Sequence, residues 1–81
     1  MSLSVEEKVV SYFREIARIE NVEIDKNVNL FTTYGIDSVK AVKLISDIEV
    51  EYDIDIPDEV AQKISSLNDV ITIIQDRIEP E

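Results

Sequence analysis

The chain has 81 residues, of which 44% are hydrophobic, and this is enough for one small domain with a core of its own. It contains neither cysteine nor histidine, which excludes disulfides, thiolate catalysis and the serine–histidine or cysteine–histidine arrangements of acyl-transfer enzymes. Eighteen acidic side chains against eight basic ones give a formal charge of −10, which argues against nucleic acids and anionic membrane surfaces as partners and favours basic protein surfaces.

From the N-terminal residues we expect no targeting signal. Met1–Ser4 runs directly into charged residues, without the basic and then apolar order of a signal peptide. No stretch approaches the roughly 20 apolar residues that a membrane span needs. We therefore expect a single cytoplasmic, monomeric domain over residues 1–81, with no membrane span.

The first predicted helix begins at a capping box formed by Ser4 and Glu7. Apolar residues then recur at steps of three and four, which predicts a helix that ends near Ile19. From Glu20 to Ile36 this period fails, which predicts a long loop with a short turn at Asn29–Phe31. The helical stripe consists of Val5, Val9, Tyr12, Phe13 and Ile16. The apolar residues expected to anchor the loop are Val22, Ile24, Val28, Leu30 and Phe31.

The second predicted helix runs from Asp37 to Tyr52 and carries two apolar sets. A second strip, which begins with Val39 and Val42, lies to one side of the main stripe. This strip either widens the buried face or forms a docking surface for a partner. The main stripe, expected to face the core, consists of Ala41, Leu44, Ile45, Ile48 and Tyr52.

After the second helix, residues 53–56 alternate polar and apolar like a strand, but no second strand is present to pair with them. We therefore predict an extended connection, followed by a short third helix from Pro57 to Lys63. A fourth helix starts at a cap in Ser66–Asp69 and ends before Pro80. The sequence thus predicts an all-α, four-helix bundle with three main helices, a short third helix and a long first loop. The stripe of the fourth helix consists of Val70, Ile71, Ile74 and Ile78.

The only glycine of the chain precedes an Asp–Ser pair at the start of the second helix. Gly35 takes a positive φ at little cost, and Asp37 is placed to accept hydrogen bonds from free backbone amides as the N-cap. Ser38 then lies in the first helical turn, where the helix dipole and free N–H groups favour a phosphate. On these residues alone, an ordinary helix start explains the pattern as well, so a second argument is needed.

A larger set of residues resembles the acyl carrier proteins of the phosphopantetheine-binding family. An Asp-Ser-aliphatic triplet alone is a weak signal, whereas an ordered set along the whole chain is specific. The resemblance implies the four-helix fold of the acyl carrier proteins. The matching segments are Leu30–Phe31, Gly35–Val39, Val50–Asp53, Ile54–Glu59 and Ser66–Leu67.

The resemblance implies that Ser38 is the attachment site for 4′-phosphopantetheine, which a separate phosphopantetheinyl transferase donates from coenzyme A. The thiol of this arm holds acyl groups as thioesters, so the chain is a carrier without catalytic activity of its own. Asp37 gains a second role, in orienting the serine and magnesium in the transferase complex. Synthase enzymes with basic docking patches are the other expected partners. Candidate contacts for them are Val39, Val42, Asp47, Glu49, Asp58 and Glu59.

Several positions depart from the common fatty-acid carrier pattern. Lys40 and Lys43 stand where acids are frequent, and Val39 replaces the usual leucine. Tyr34 precedes the glycine where an aliphatic residue is common. These differences favour a specialised carrier, for instance in polyketide or modified-lipid synthesis, over a housekeeping role in fatty acid biosynthesis. If the acyl group packs inside the bundle, the candidates to line its pocket are Leu44, Ile45, Ile48, Val60 and Ile64.

Three alternatives remain at this point. A peptidyl, aminoacyl or D-alanyl carrier would use the same chemistry at Ser38 with a different cargo. A plain helical interaction module would use the Asp37–Ser38 pair only as a helix cap. The third alternative is calcium binding by the acids of residues 49–55. This segment, however, lacks the central glycine and the terminal glutamate spacing of an EF-hand.

Overall fold

A computed structural model describes residues 4–78 of the chain. Within this range the all-α prediction is confirmed, because the chain forms helices and no strand. Residues 54–56 form the predicted connection, without helix or strand, whereas Asp53 is not extended: it is the left-handed C-cap of α3, with φ of 54°. The predicted end of the last helix before Pro80 lies outside the described residues. The helices are α1 (Val5–Ala17), α2 (Leu30–Thr33), α3 (Ser38–Tyr52), α4 (Asp58–Ala61) and α5 (Leu67–Ile78).

Helix α1 begins where the sequence predicts and ends earlier. The Ser4 hydroxyl accepts from the Glu7 N–H at 3.1 Å, and the Glu7 carboxylate accepts from the Ser4 N–H at 3.0 Å. The helix stops at Ala17 because Arg18 adopts a left-handed conformation, with φ of 60°, and donates its N–H to the Arg14 carbonyl. This left-handed cap closes the last turn two residues before the predicted end at Ile19.

The loop before α2 is held by backbone contacts as well as by apolar anchors. Ile24 and Leu30 are buried as predicted, whereas Val22 is 55% exposed, so its predicted anchoring role is wrong. Phe31 is exposed as well. The Leu30 N–H donates to the Ser65 carbonyl at 2.7 Å, which ties the loop to the segment before α5.

The core lies between α1, α3 and α5, and side chains from the connecting segments close it. Phe13 of α1 meets the Tyr34 ring edge-on, with 5.3 Å between ring centroids. This contact fixes the segment before the glycine against α1. None of the helices within residues 4–78 has the length and apolar character needed to cross a membrane. The buried apolar residues are Val9, Phe13, Ile24, Leu30, Ile36, Leu44, Ile48, Ile56, Leu67, Val70, Ile71 and Ile74.

Polar contacts also hold α3 against α1. Lys8 forms an ion pair with Glu51, and the Tyr12 hydroxyl donates to the same carboxylate at 2.6 Å. The hydrogen bonds from Lys8 and Tyr12 lower the pKa of Glu51. The hydrogen bond to Glu51 raises the pKa of Tyr12 to about 12. Glu51 is therefore engaged at the α1–α3 interface.

Candidate functional site

The approach to α3 is a sharp turn around Gly35. Gly35 has φ of +68°, in the left-handed region that favours glycine, and a Cβ added there would meet no atom within 4 Å. Glycine is therefore favoured at this position by the backbone conformation and not by a lack of space for a side chain. The next residue, Ile36, is buried and donates its N–H to the Leu30 carbonyl at 3.4 Å. The turn is thus anchored on both sides before the chain enters α3.

Asp37 is the N-cap of α3, as the sequence predicts. Its backbone is extended, and its side-chain Oδ1 accepts from the Lys40 N–H at 2.9 Å. The Asp37 carbonyl accepts from the Ala41 N–H at 3.0 Å, which begins the helical hydrogen-bond series. The cap fixes the direction of the first helical turn, where Ser38 stands.

Ser38 is the first residue of α3 and is exposed to solvent. Within residues 4–78, the backbone N–H groups of Ser38 and Val39 have no protein acceptor, and the Ser38 hydroxyl has no hydrogen-bond partner. Both amides lie at the positive end of a 15-residue helix. A phosphate on Oγ of Ser38 would therefore find free donors and a favourable potential, and the residues present fit a phosphopantetheine arm.

Ser38 also lies at the edge of an apolar cleft of about 760 Å³. Leu44, Ile45 and Ile64 line this cleft, as the sequence predicts. The prediction is wrong for Ile48 and Val60, which do not line it; Ile48 is fully buried in the core. The remaining apolar lining comes from Leu30, Phe31, Ile36, Ala41, Val42, Ile56, Pro57, Ala61 and Val70.

The second apolar strip of α3 faces solvent. Val39 is 75% exposed and Val42 is 64% exposed, so the strip does not widen the buried face. Val50, which sequence analysis missed, is 83% exposed and extends this face toward the end of the helix. Its spacing of eleven residues from Val39, which is close to three full helical turns, is the signal that would have found it. Asp58 and Glu59 are exposed in the first turn of α4.

The two acids of α3 proposed for docking have contacts within the chain. The Asp47 carboxylate accepts from Lys43 at 3.0 Å. The Glu49 carboxylate accepts from the Ile56 N–H at 2.8 Å, which ties α3 to the connection before α4. No local sequence signal indicates the Glu49 contact, because it joins a helical side chain to the backbone of the next segment. Among residues 4–78, no group of three or more acidic side chains converges as a metal site would require.

Comparison with known proteins gives consistent matches. The family model for the phosphopantetheine attachment site matches residues 7–74. The acyl carrier protein of Clostridium acetobutylicum is 38% identical over 69 residues, which cover 85% of this chain and 90% of that protein. A Mycobacterium tuberculosis structure described as an acyl carrier protein superposes with a TM-score of 0.80 at 35% identity, covering 85% of this chain and 92% of that chain. The structure of the acyl carrier protein of Thermotoga maritima superposes with a TM-score of 0.74 at 26% identity. This match covers 98% of this chain and 96% of that chain.

Proposed function

The chain belongs to the phosphopantetheine-binding acyl carrier proteins, and on this premise we propose that Ser38 is the residue that carries the 4′-phosphopantetheine arm. The family consists of carriers without catalytic activity, which work with a phosphopantetheinyl transferase and with acyl-transferring enzymes. The observation that carries the proposal is the setting of the Ser38 hydroxyl. It is exposed at the start of α3, beside two free backbone amides and at the edge of an apolar cleft.

The residues around Ser38 support attachment in three ways. Asp37 holds the first turn of α3 in place through its bond to the Lys40 N–H. The free amides of Ser38 and Val39 stabilise the negative charge of a phosphodiester on Oγ. The exposed hydroxyl is open to an incoming transferase, which supplies the catalytic groups, so the carrier needs no base of its own.

The arm supplies a thiol, which this cysteine-free chain lacks, and its thioester is the form in which we propose that acyl groups are carried. The cleft beside Ser38 supports an apolar cargo, because its lining is largely aliphatic. The cargo belongs to fatty acid, polyketide or related lipid biosynthesis. The lysines at positions 40 and 43 support a specialised pathway within this range. The packing of the described residues around one core supports a single carrier domain. We propose the cytoplasm as the compartment in which it acts.

The test is the intact mass of the apo protein after incubation with coenzyme A, magnesium and a broad-specificity phosphopantetheinyl transferase. The wild type should gain one phosphopantetheine, and Ser38→Ala should gain none. Ser46→Ala is the matched control, because Ser46 is also an exposed serine of α3 that lines the cleft, and it should be modified like the wild type. Modification of Ser38→Ala would contradict the proposal, as would an unmodified, folded wild type.

A further inference from the structure

One wall of the apolar cleft beside Ser38 comes from the connection before α4 and from α4 itself. None of the four residues of α4 is buried, and its N-cap, Pro57, makes no side-chain capping bond. Ile56 of the connection, by contrast, is 5% exposed and lines the cleft. The position of this wall therefore depends on how the connection is held.

Hydrogen bonds from two helices hold the connection. The Glu49 carbonyl accepts from the Ile54 N–H at 3.1 Å, and the Glu49 carboxylate accepts from the Ile56 N–H at 2.8 Å. The Arg77 guanidinium of α5 donates to the Asp55 carbonyl at 3.0 Å. Successive residues of the connection are thus tied in turn to α3, to α5 and again to α3.

The two side chains that make these bonds differ in their relation to the cleft. Glu49 is half-buried and lines it, whereas Arg77 is exposed and is not among the residues that line it. Both are charged, and a hydrogen bond with a charged partner is stronger than one between neutral groups. If the loss of either bond changes the cleft in the same way, the cause is the position of the connection and not the surface of Glu49.

We propose that Glu49 and Arg77 are positioning residues for the acyl cargo, because their bonds hold Ile56 in the cleft wall before the cargo arrives. This inference rests on the proposed function, since it requires an acyl group on the Ser38 arm that enters the cleft. A wall that is already in place lowers the ordering cost of binding. Without either bond the cargo itself must order the connection, so a linear acyl chain is enclosed for a smaller fraction of the time.

The experiment measures how well the carrier protects its own thioester from a small nucleophile. Acetyl and octanoyl forms of the carrier are made with the transferase and the corresponding acyl-coenzyme A. Hydroxylamine then takes the acyl group and leaves the free thiol of the arm, and intact mass gives the rate. The acetyl group has one methyl carbon to bury, whereas each methylene of the octanoyl chain adds about fourfold to its preference for an apolar site.

Four variants separate the position of the connection from other effects. Glu49→Met and Arg77→Met each remove one bond and keep a side chain of several carbons. Glu49→Gln keeps an oxygen that can accept from the Ile56 N–H. Glu7→Met is the matched control, because the Glu7 carboxylate also accepts from a backbone N–H, that of Ser4, and does not line the cleft.

In the octanoyl form, Glu49→Met and Arg77→Met should each be cleaved about three- to tenfold faster than the wild type, the effect of losing one such hydrogen bond. Glu49→Gln and Glu7→Met should stay within about twofold of the wild type. In the acetyl form, all four variants should be cleaved at about the wild-type rate, because this cargo buries too little surface to depend on the wall.

The inference is overturned if folded Glu49→Met and Arg77→Met protect the octanoyl thioester as well as the wild type does. It is also overturned if only Glu49→Met accelerates cleavage, because the effect then comes from the cleft surface. Equal acceleration of the acetyl and octanoyl forms would contradict it as well, since the wall should matter for the longer chain. A wild type that the transferase never modifies refutes the proposed function instead, which is a separate result.

Discussion

Asp37 has two proposed roles, and substitution can separate them. Its side chain accepts from the Lys40 N–H at 2.9 Å, which is the capping bond of α3. Asp37→Ala removes this acceptor and should lower the free energy of unfolding by about 1 kcal/mol, the usual cost of a lost N-cap. For a domain of this size, that cost corresponds to a fall in Tm of roughly 4–8 °C.

Asp37→Asn keeps an oxygen in the capping position, so it should unfold within about 2 °C of the wild type. It removes the negative charge that we propose orients magnesium in the transferase complex. We therefore expect Asp37→Asn to be folded and stable but modified more slowly at Ser38. Modification of both variants is measured beside their thermal unfolding followed by circular dichroism.

Each of the two roles of Asp37 can be refuted without affecting the other. An Asp37→Ala protein as stable as the wild type would show that the capping bond contributes nothing, and the reasoning from the geometry of α3 would be refuted. If Asp37→Asn is modified at the wild-type rate, the proposed role of Asp37 in the transferase complex is wrong. Its role as the N-cap of α3 would be unaffected by that result.

Three further predictions concern stability and titration. Gly35→Ala should cost about 1–2 kcal/mol in chemical denaturation, because φ of +68° strains a residue with a Cβ although no atom lies within 4 Å; a loss below about 0.5 kcal/mol would contradict this. The amides of Ser65 and Ser66 lower the pKa of Asp69, so its contribution to stability is full above its ordinary pKa of about 3.9 and disappears as pH falls through the lower folded value. Denaturation midpoints between neutral and strongly acidic pH should therefore fall less steeply for Asp69→Asn than for the wild type. Midpoints that fall equally with pH in both proteins would contradict this contribution of Asp69. Ultraviolet titration should show Tyr12 ionising at about 12, and Glu51→Gln should return it toward the usual value of about 10; an unchanged titration in that variant would remove Glu51 as the cause.

Local signals in the sequence were sufficient for the helix starts. The capping box of Ser4 and Glu7 and the N-cap at Asp37 each depend on residues within three positions of each other, and both appear in the structure as predicted. The positive φ at Gly35 follows from the residue type in the same way. The Asp–Ser pair, read with the segments around it, also identified the family correctly.

Features that depend on packing were harder to predict. The end of α1 depends on a left-handed Arg18, a conformation that no residue type near it signals. Ile45 and Ile48 belong to one apolar stripe, yet the cleft reaches Ile45 and leaves Ile48 in the core. Glu49 was read as a docking charge, whereas its carboxylate holds the Ile56 backbone. The first outcome depends on the backbone conformation of one residue, the second on how separate helices pack, and the third on a contact between α3 and the connection that follows it.

The most direct test of the account locates the attached group. The wild-type protein, modified by the transferase in the presence of coenzyme A and magnesium, is digested and its peptides are sequenced by tandem mass spectrometry. We predict that the phosphopantetheine mass lies on Ser38 and on no other hydroxyl residue. Its presence on a different serine or threonine of the folded protein would contradict the assignment of Ser38.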